Sequence, residues 1–486
     1  MQKFLILGSS TLVFVAILAY AYITGDQANN GIITTAPTTD VVKRVKLTYW
    51  DLPQWRGLSG SRLEKDAAYD IWPKRMIAEY EAMHPEVQID FVQIPWAEET
   101  NKYLLAANAG EAPDVYFRDG AAVNDLAHRG LLNPIDEYIT PEDRADWYPI
   151  AKDAVSSSGQ LYGFPFYVSF NGIAINMDLV KERHAEHLLP KAPNYDDWNY
   201  AQFTELAKAL TFTRKDGSKV NGYITHGIGS PHLYFMWMVM NGSGGFYDKD
   251  HTKAQVNTPY HLETWQFLTD LIYKYGVSPK NSSGISFDEL WKMYINQQVG
   301  MMSGGMWMIS SAEAQAPKPF NMICVQPPHG SFPQVQSQDA YVGAYIVSKR
   351  KDQTPERIRY AMDFAKFITN SRNSVYVVGN ATLAARRSSG NPYYGDPRYS
   401  TFFSLLQNMK LFNPEWKFED MPGTVLLPDQ YFQEMIAGKR PVGEVLKQMQ
   451  HDQEQLLAQE LKAGYPKRYP RSPDIIQEVK EASKVK

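Results

Sequence analysis

An α/β protein of two domains is predicted here from three observations. The chain has 486 residues, more than one ordinary domain holds. From Val45 onward, stretches with apolar residues at every second position alternate with stretches of helical periodicity. Pro or Gly marks many of the changeovers. Such alternation places strands in a largely parallel sheet with helices on both faces.

The elements follow in order. Val45 to Trp50 alternates faces as a strand does. Trp72, Met76, Tyr80 and Met83 recur along one helical face, ahead of a stop at Pro85. Val87 to Ile94 is a second strand, closed by Pro95. Residues 97–109 are helix-prone, and Gly110 stands where a C-terminal cap belongs. Asp114 to Phe117 is a short strand, and Ala121 to Arg129 a helix stopped by Gly130. A second strand–helix system follows Phe164, with Gly172 to Asn176, a helix over Trp198 to Leu210 and an amphipathic helix over His261 to Tyr275. Residues 400–475 read as helical, most strongly from Lys447 to Leu461. Ligands of open α/β sheets gather at the carboxyl ends of strands. Here those ends are Trp50-Asp51, Pro95-Trp96 and Arg118-Asp119-Gly120.

Composition narrows the function. A net charge of −4 offers no field for nucleic acid or anionic lipid. Aromatic residues make up 13%, with 11 Trp and 30 Tyr. Most rings of this kind pack in cores, but a subset lining a carbohydrate cleft is the sharper reading, because pyranose C–H groups stack on π faces. Cys324 is the only cysteine, so no intrachain disulfide or Cys-based zinc site can form, and a buried free thiol is expected.

At the N-terminus Lys3 precedes an apolar run, Phe4 to Ile23, broken only by Ser9, Ser10 and Thr11. Its length, about 30 Å as a helix, suffices to cross a bilayer. Ala19-Tyr20-Ala21 fits a cleavable secretory signal, and an uncleaved anchor fits equally. Both place the body outside the cytoplasm, in the periplasm or on the outer face of the membrane. Residues 1–25 are thus a signal or anchor, and 26–43 a flexible tether.

Motifs in order along Val45–Leu461 then resemble the family 1 extracellular solute-binding proteins, known for maltose and oligosaccharide binding. Tyr80-Glu-Ala-Met-His-Pro-Glu-Val-Gln-Ile89 resembles the family's F-x-x-x-x-P-x-I-x-V passage. Ala109-Gly-Glu-Ala-Pro-Asp-Val-Tyr-Phe-Arg-Asp119 resembles A-S-G-x-x-P-D-V-x-x-x-D, and Gly159-Gln-Leu-Tyr-Gly-Phe-Pro165 resembles G-K-x-Y-G-x-P. Gly300-Met-Met-Ser-Gly-Gly-Met-Trp307, Gly343-Ala-Tyr-Ile-Val-Ser-Lys349 and Ile436-Ala-Gly-Lys-Arg-Pro-Val continue the series. The missing lipoprotein Cys and Ala384-Ala-Arg-Arg387, where members carry P-x-R, are departures.

The resemblance implies a two-lobed periplasmic-binding-protein fold of class II type, each lobe a sheet flanked by helices, with a hinge between. Lobe one is expected at 44–164 plus 340–382, lobe two at 167–337 plus 385–475, and a tail at 476–486. It implies capture of a small solute, a neutral mono- or oligosaccharide, by hinge closure and delivery to the permease subunits of an ABC importer. A monomer without cofactor or metal is expected. Trp307, ending a Gly-Gly-Met-Trp turn, is the first candidate stacking plate, against a core plug. Asp119 is a hydroxyl acceptor or a helix N-cap. Trp50 and Trp55 would close the lobe-one side. Tyr167 stands at the first hinge crossing, and Asp339, Tyr341 and Gly343 at the second. Trp237 is a candidate that helical spacing explains almost as well, and Arg386 occupies the P-x-R segment. No P-loop, H-E-x-x-H, G-x-S-x-G or Rossmann pattern is present. The rivals are an exported carbohydrate-active enzyme and a ligand-sensing subunit for a membrane sensor kinase.

Overall fold

The computed structural model describes residues 44–54, 58–59, 62–63, 68–191, 198–226, 232–243, 245–248, 252–332, 340–408 and 422–462. The signal or anchor, the tether, the tail, Trp55 and Asp339 lie outside the described residues.

Ten strands form one sheet: β1 Val45–Asp51, β2 Val87–Gln93, β3 Val115–Asp119, β4 Phe164–Asn176, β5 Phe212–Thr213, β6 Lys219–Tyr223, β7 Val299–Gly305, β8 Met322–Val325, β9 Ala340–Val347 and β10 Leu383–Ala384. The order is β2-β1-β3-β9-β4-β7-β6-β5, with β8 and β10 also paired to β4. In β1 the alternation sends Leu47, Tyr49 and Asp51 inward. Both β2 and β3 lie parallel to β1, which requires crossover connections. Helices α1 (Ile71–Met83) and α2 (Glu99–Ala109) supply them. Trp72, Met76 and Tyr80 are buried on one face of α1 as their spacing predicts. Met83, expected beside them, is 56% exposed, because it ends the helix where the chain turns away toward Pro85. Gly110 closes α2 in the left-handed conformation that lacks a Cβ penalty.

Two expectations change. Strand β3 runs two residues beyond Phe117, because pairing with β9 extends through Arg118 and Asp119. The segment expected from Gly172 to Asn176 is the end of a 13-residue strand, β4, that begins at Phe164. Its first half is flanked by β9 and β10, its second half by β7 and β8. Partners on both sides flank Tyr167–Val168 and Ile173–Ile175, and β9 and β7 carry the pairing between them.

Two hydrophobic cores lie on either side of that spine. The first gathers Leu47, Tyr49, Trp72, Tyr80, Tyr116, Phe117, Phe166, Tyr345 and Phe364. The second gathers Trp198, Phe203, Tyr223, Trp237, Trp265, Leu271, Met301, Met302, Ile436 and Leu446. Helix α3 (Gly120–His128) packs Val123 and Leu126 into the first core. The second core is covered by α4 (Tyr200–Ala209), α5 (His232–Met240), whose described side chains are all buried, α6 (Pro259–Tyr273), started by the Thr258 hydroxyl and Pro259, and the pair Pro422–Ile436 and Val442–Lys462. Cys324 is a buried free thiol, and burial pushes its ionisation well up.

Candidate functional site

The register of β4 brings the ends of strands from both cores together. Asp119, last in β3, pairs with Gly343, which pairs with Tyr167. Gly305, last in β7, pairs with Asn171. Tyr167 and Asn171 are four residues apart, about 13 Å along an extended strand. The carboxyl ends of strands from the two halves of the sheet therefore meet over the middle of one shared strand.

On the lobe-one side, the Asp119 carboxylate accepts from the Ala122 backbone N–H at 2.9 Å and caps α3. That is the N-cap alternative, and it leaves the second carboxylate oxygen for another donor. Tyr167 stacks on Phe117 at 5.8 Å and on Tyr341 at 6.1 Å between ring centroids. Gly343 makes the stack possible: a Cβ there would stand 2.4 Å from Tyr167 Cε1 and 2.6 Å from Phe117 Cζ. Burial raises both tyrosine hydroxyls well above their ordinary pKa, and the Asp119 charge adds to it. Both remain protonated at neutral pH and can donate. Trp50 lies edge-on to Tyr116 at 5.8 Å, with its Nε1 buried and lacking an acceptor among the described residues.

Below these groups Asp51 is fully buried. It accepts from Leu52 N (2.7 Å), Gln54 Nε2 (3.4 Å), the Tyr345 hydroxyl (2.8 Å) and the Tyr49 hydroxyl. Burial outweighs those bonds and moves its pKa up to about 6. Three further residues stand on this rim that the candidate set omitted. Trp96 follows β2 and is 43% exposed. Glu99, in the first turn of α2, lies 3.3 Å from Arg118 Nη1. The strand-end rule pointed at Trp96 and Arg118, but no motif singled them out.

On the lobe-two side Trp307 follows β7 and is partly exposed, its ring 6.0 Å from Phe287 and 6.2 Å from Trp291. A Cβ on Gly305 would meet that ring at 2.8 Å, so the glycine lets the indole lie back along the strand end. His226 follows β6 and is buried, and desolvation alone lowers its pKa to about 4.

Two candidates are placed elsewhere. Trp237 is wholly inside the second core, edge-on to Phe203 and Tyr223, with its Nε1 donating to Ser303 Oγ at 3.1 Å. Helical burial of α5 positions it. The Arg386 guanidinium is committed within the protein. It donates to Thr369 O at 2.7 Å, contacts Asp143 and Asp146 at 3.3 and 3.2 Å, and lies over the Trp147 ring. Among the described residues no cluster of His, Cys, Asp or Glu could hold a metal ion.

Comparison with known proteins adds a second line. The family model described as bacterial extracellular solute-binding protein matches residues 75–380. A maltotriose-binding protein of Pyrococcus abyssi is 27% identical over 237 residues, 48% of this chain and 46% of that protein. The chain thus spans about half the length of that curated relative. Among solved structures, the Thermus thermophilus maltotriose-binding protein bound with maltotriose superposes with a TM-score of 0.64 at 21% identity, covering 84% of this chain and 99% of the other. An ABC substrate-binding protein from Listeria monocytogenes, in complex with cycloalternan, gives 0.65 at 19%, covering 85% and 99%. At these identities the superpositions establish the two-lobed fold.

Proposed function

The chain belongs to the bacterial extracellular solute-binding proteins, and from that premise we propose that it captures a neutral mono- or oligosaccharide and delivers it to the permease subunits of an ABC importer. The observation that carries the reading is the register of β4, which sets strand ends from both halves of the sheet against one strand. A ligand lodged there touches both lobes, so it favours whichever state brings them together. The lobes correspond to 44–164 plus 340–382 and 167–337 plus 385–475, and β4 and β9 carry the hinge.

The sugar reading draws on chemistry and on the relatives. Trp307 and the Tyr167–Tyr341 stack offer flat apolar faces, while Asp119 and the tyrosine hydroxyls offer acceptor and donors. Relatives named for maltotriose and cycloalternan bind chains of such rings. The N-terminal apolar run serves as export signal or anchor, and the protein works as a monomer outside the cytoplasm.

The test is a thermal-shift and tryptophan-fluorescence screen of the purified chain against neutral saccharides, maltotriose included. A true ligand at 100 times its Kd adds about 2.7 kcal/mol and raises Tm by several degrees. The sugar must be recovered unaltered. No shift with any saccharide, or turnover of one, defeats the proposal.

A further inference from the structure

We propose that Trp96, Glu99 and Arg118 form a saccharide subsite on the lobe-one rim: a pyranose ring lies on Trp96, and two neighbouring hydroxyls engage Glu99 and Arg118. The inference rests on the sugar-binding reading above and specifies the chemistry of the sugar.

Trp96 is among the few large apolar side chains left open to solvent, at 43% exposure, and it stands at the carboxyl end of β2. It opens the short 3₁₀ turn Trp96–Glu98, which runs directly into α2. Glu99 comes three residues later, so the two side chains share a face of the helical path. The Arg118 guanidinium lies beneath this face. Its Nη2 donates to Thr100 Oγ1 at 3.2 Å, and Nη1 is 3.3 Å from Glu99 Oε2. The residue is 5% exposed, yet Nε and Nη1 have no hydrogen-bond acceptor among the described residues. Nη1 has the Glu99 carboxylate within ion-pair distance, but Nε has none, and because buried donors are nearly always paired it points to an absent acceptor. Glu99 keeps 22% of its side chain exposed, which gives a ligand access to the pair.

Charge selects the ligand class. Arg118 faces both Glu99 and Asp119, and the surplus there is negative. A uronate or phosphate would meet two carboxylates. A neutral ring with vicinal hydroxyls does not, because each hydroxyl can accept from Arg118 and donate to Glu99.

Isothermal titration of the full chain with neutral oligosaccharides, maltotriose among them, and with oligogalacturonate as the acidic counterpart tests this. A neutral sugar should bind the wild type and the acidic one should not. Trp96→Ala should weaken binding about tenfold with Trp96→Phe restoring most of it, and Arg118→Met should weaken it about 10- to 100-fold. Trp96 is exposed, so its variants should keep the wild-type Tm. Wild-type affinity in Trp96→Ala and Glu99→Gln, or tight binding of oligogalacturonate, overturns the subsite and leaves sugar binding standing. Failure of every saccharide to bind the wild type overturns both.

Discussion

The two lobes surround their strand ends with different chemistry. Lobe one sets ionisable groups there: Asp51, Glu99, Arg118 and Asp119, two of them, Asp51 and Glu99, with pKa values raised by burial. Lobe two sets rings and sulfur there, along the wholly buried β7, then Met306 and the indole of Trp307. Its titratable member, His226, is held neutral. A sheet end lined by charge can discriminate among hydroxyl patterns, because an unmet buried polar group costs about 1–3 kcal/mol. A sheet end lined by rings supplies area and little direction. On the reading proposed above, that contrast would give discrimination to lobe one and contact area to lobe two.

Trp237 offers the largest effect with which to break that contrast. Its ring fills the second core, so Trp237→Ala should cost about 3–5 kcal/mol. The variant's folded fraction should hold ligand as the wild type does. Trp307→Ala should do the reverse, keeping Tm within a few degrees and weakening binding. Calorimetric unfolding beside titration reads both. Weak binding by Trp237→Ala at an unchanged Tm would place that ring against the ligand.

Asp51 sharpens the comparison from the other side. Its folded pKa of about 6 exceeds the ordinary 3.8, so the folded state holds the proton more tightly. The stability this contributes is full below pH 4, is lost as pH rises through 6, and changes no further above that. The loss reaches roughly 3 kcal/mol as an order of magnitude. Asp51→Asn keeps an oxygen for Leu52 N and Gln54, and the Tyr49 and Tyr345 hydroxyls can turn to accept from its amide. Stability should therefore rise at pH 7.5 and lose part of its fall between pH 4 and 6. The wild-type minus variant difference in urea unfolding isolates this from Glu99, which falls likewise, and from the neutral His226 and His261, which run oppositely. An Asn variant less stable at pH 7.5 would show that the hydrogen bonds outweigh desolvation.

Much of this was legible in the residues. Period-two alternation fixed Leu47 and Tyr49 inside β1, and helical spacing fixed Trp72, Met76 and Tyr80 inside α1. The continuity of β4 was not legible, since only its end, Gly172 to Asn176, was read as an element. Val325 backbone stands 2.4 Å from where a Gly172 Cβ would lie, so this glycine admits β8 and does not end the strand. The position of Asp119 at a strand end followed from strand order, and its capping role from residue type. Trp237 and Arg386 carried the right residue types in the wrong surroundings. Burial of a ring within α5, or commitment of a guanidinium to Asp143 and Asp146, depends on partners distant in sequence. Arg118 and Glu99 were passed over for the same reason, because their pairing exists only once β3 and α2 are assembled.

Gly343 is the subtlest test, since it separates the two roles within lobe one. The glycine lies between Asp119 and Tyr167 on neighbouring strands, and a methyl there must move the Tyr167 and Phe117 rings, which face each other at 16°. Ring edges yield more readily than backbone, so Gly343→Ala should fold and lose about 1–3 kcal/mol. Tyr341 stacks on the displaced Tyr167 ring, so affinity should fall along with stability. Shortening the obstacle should undo it: Phe117→Leu in the Gly343→Ala background should recover part of the Tm, a non-additive gain expected of residues in contact. Additive losses in that double variant would mean that the glycine serves its own backbone and not the stack.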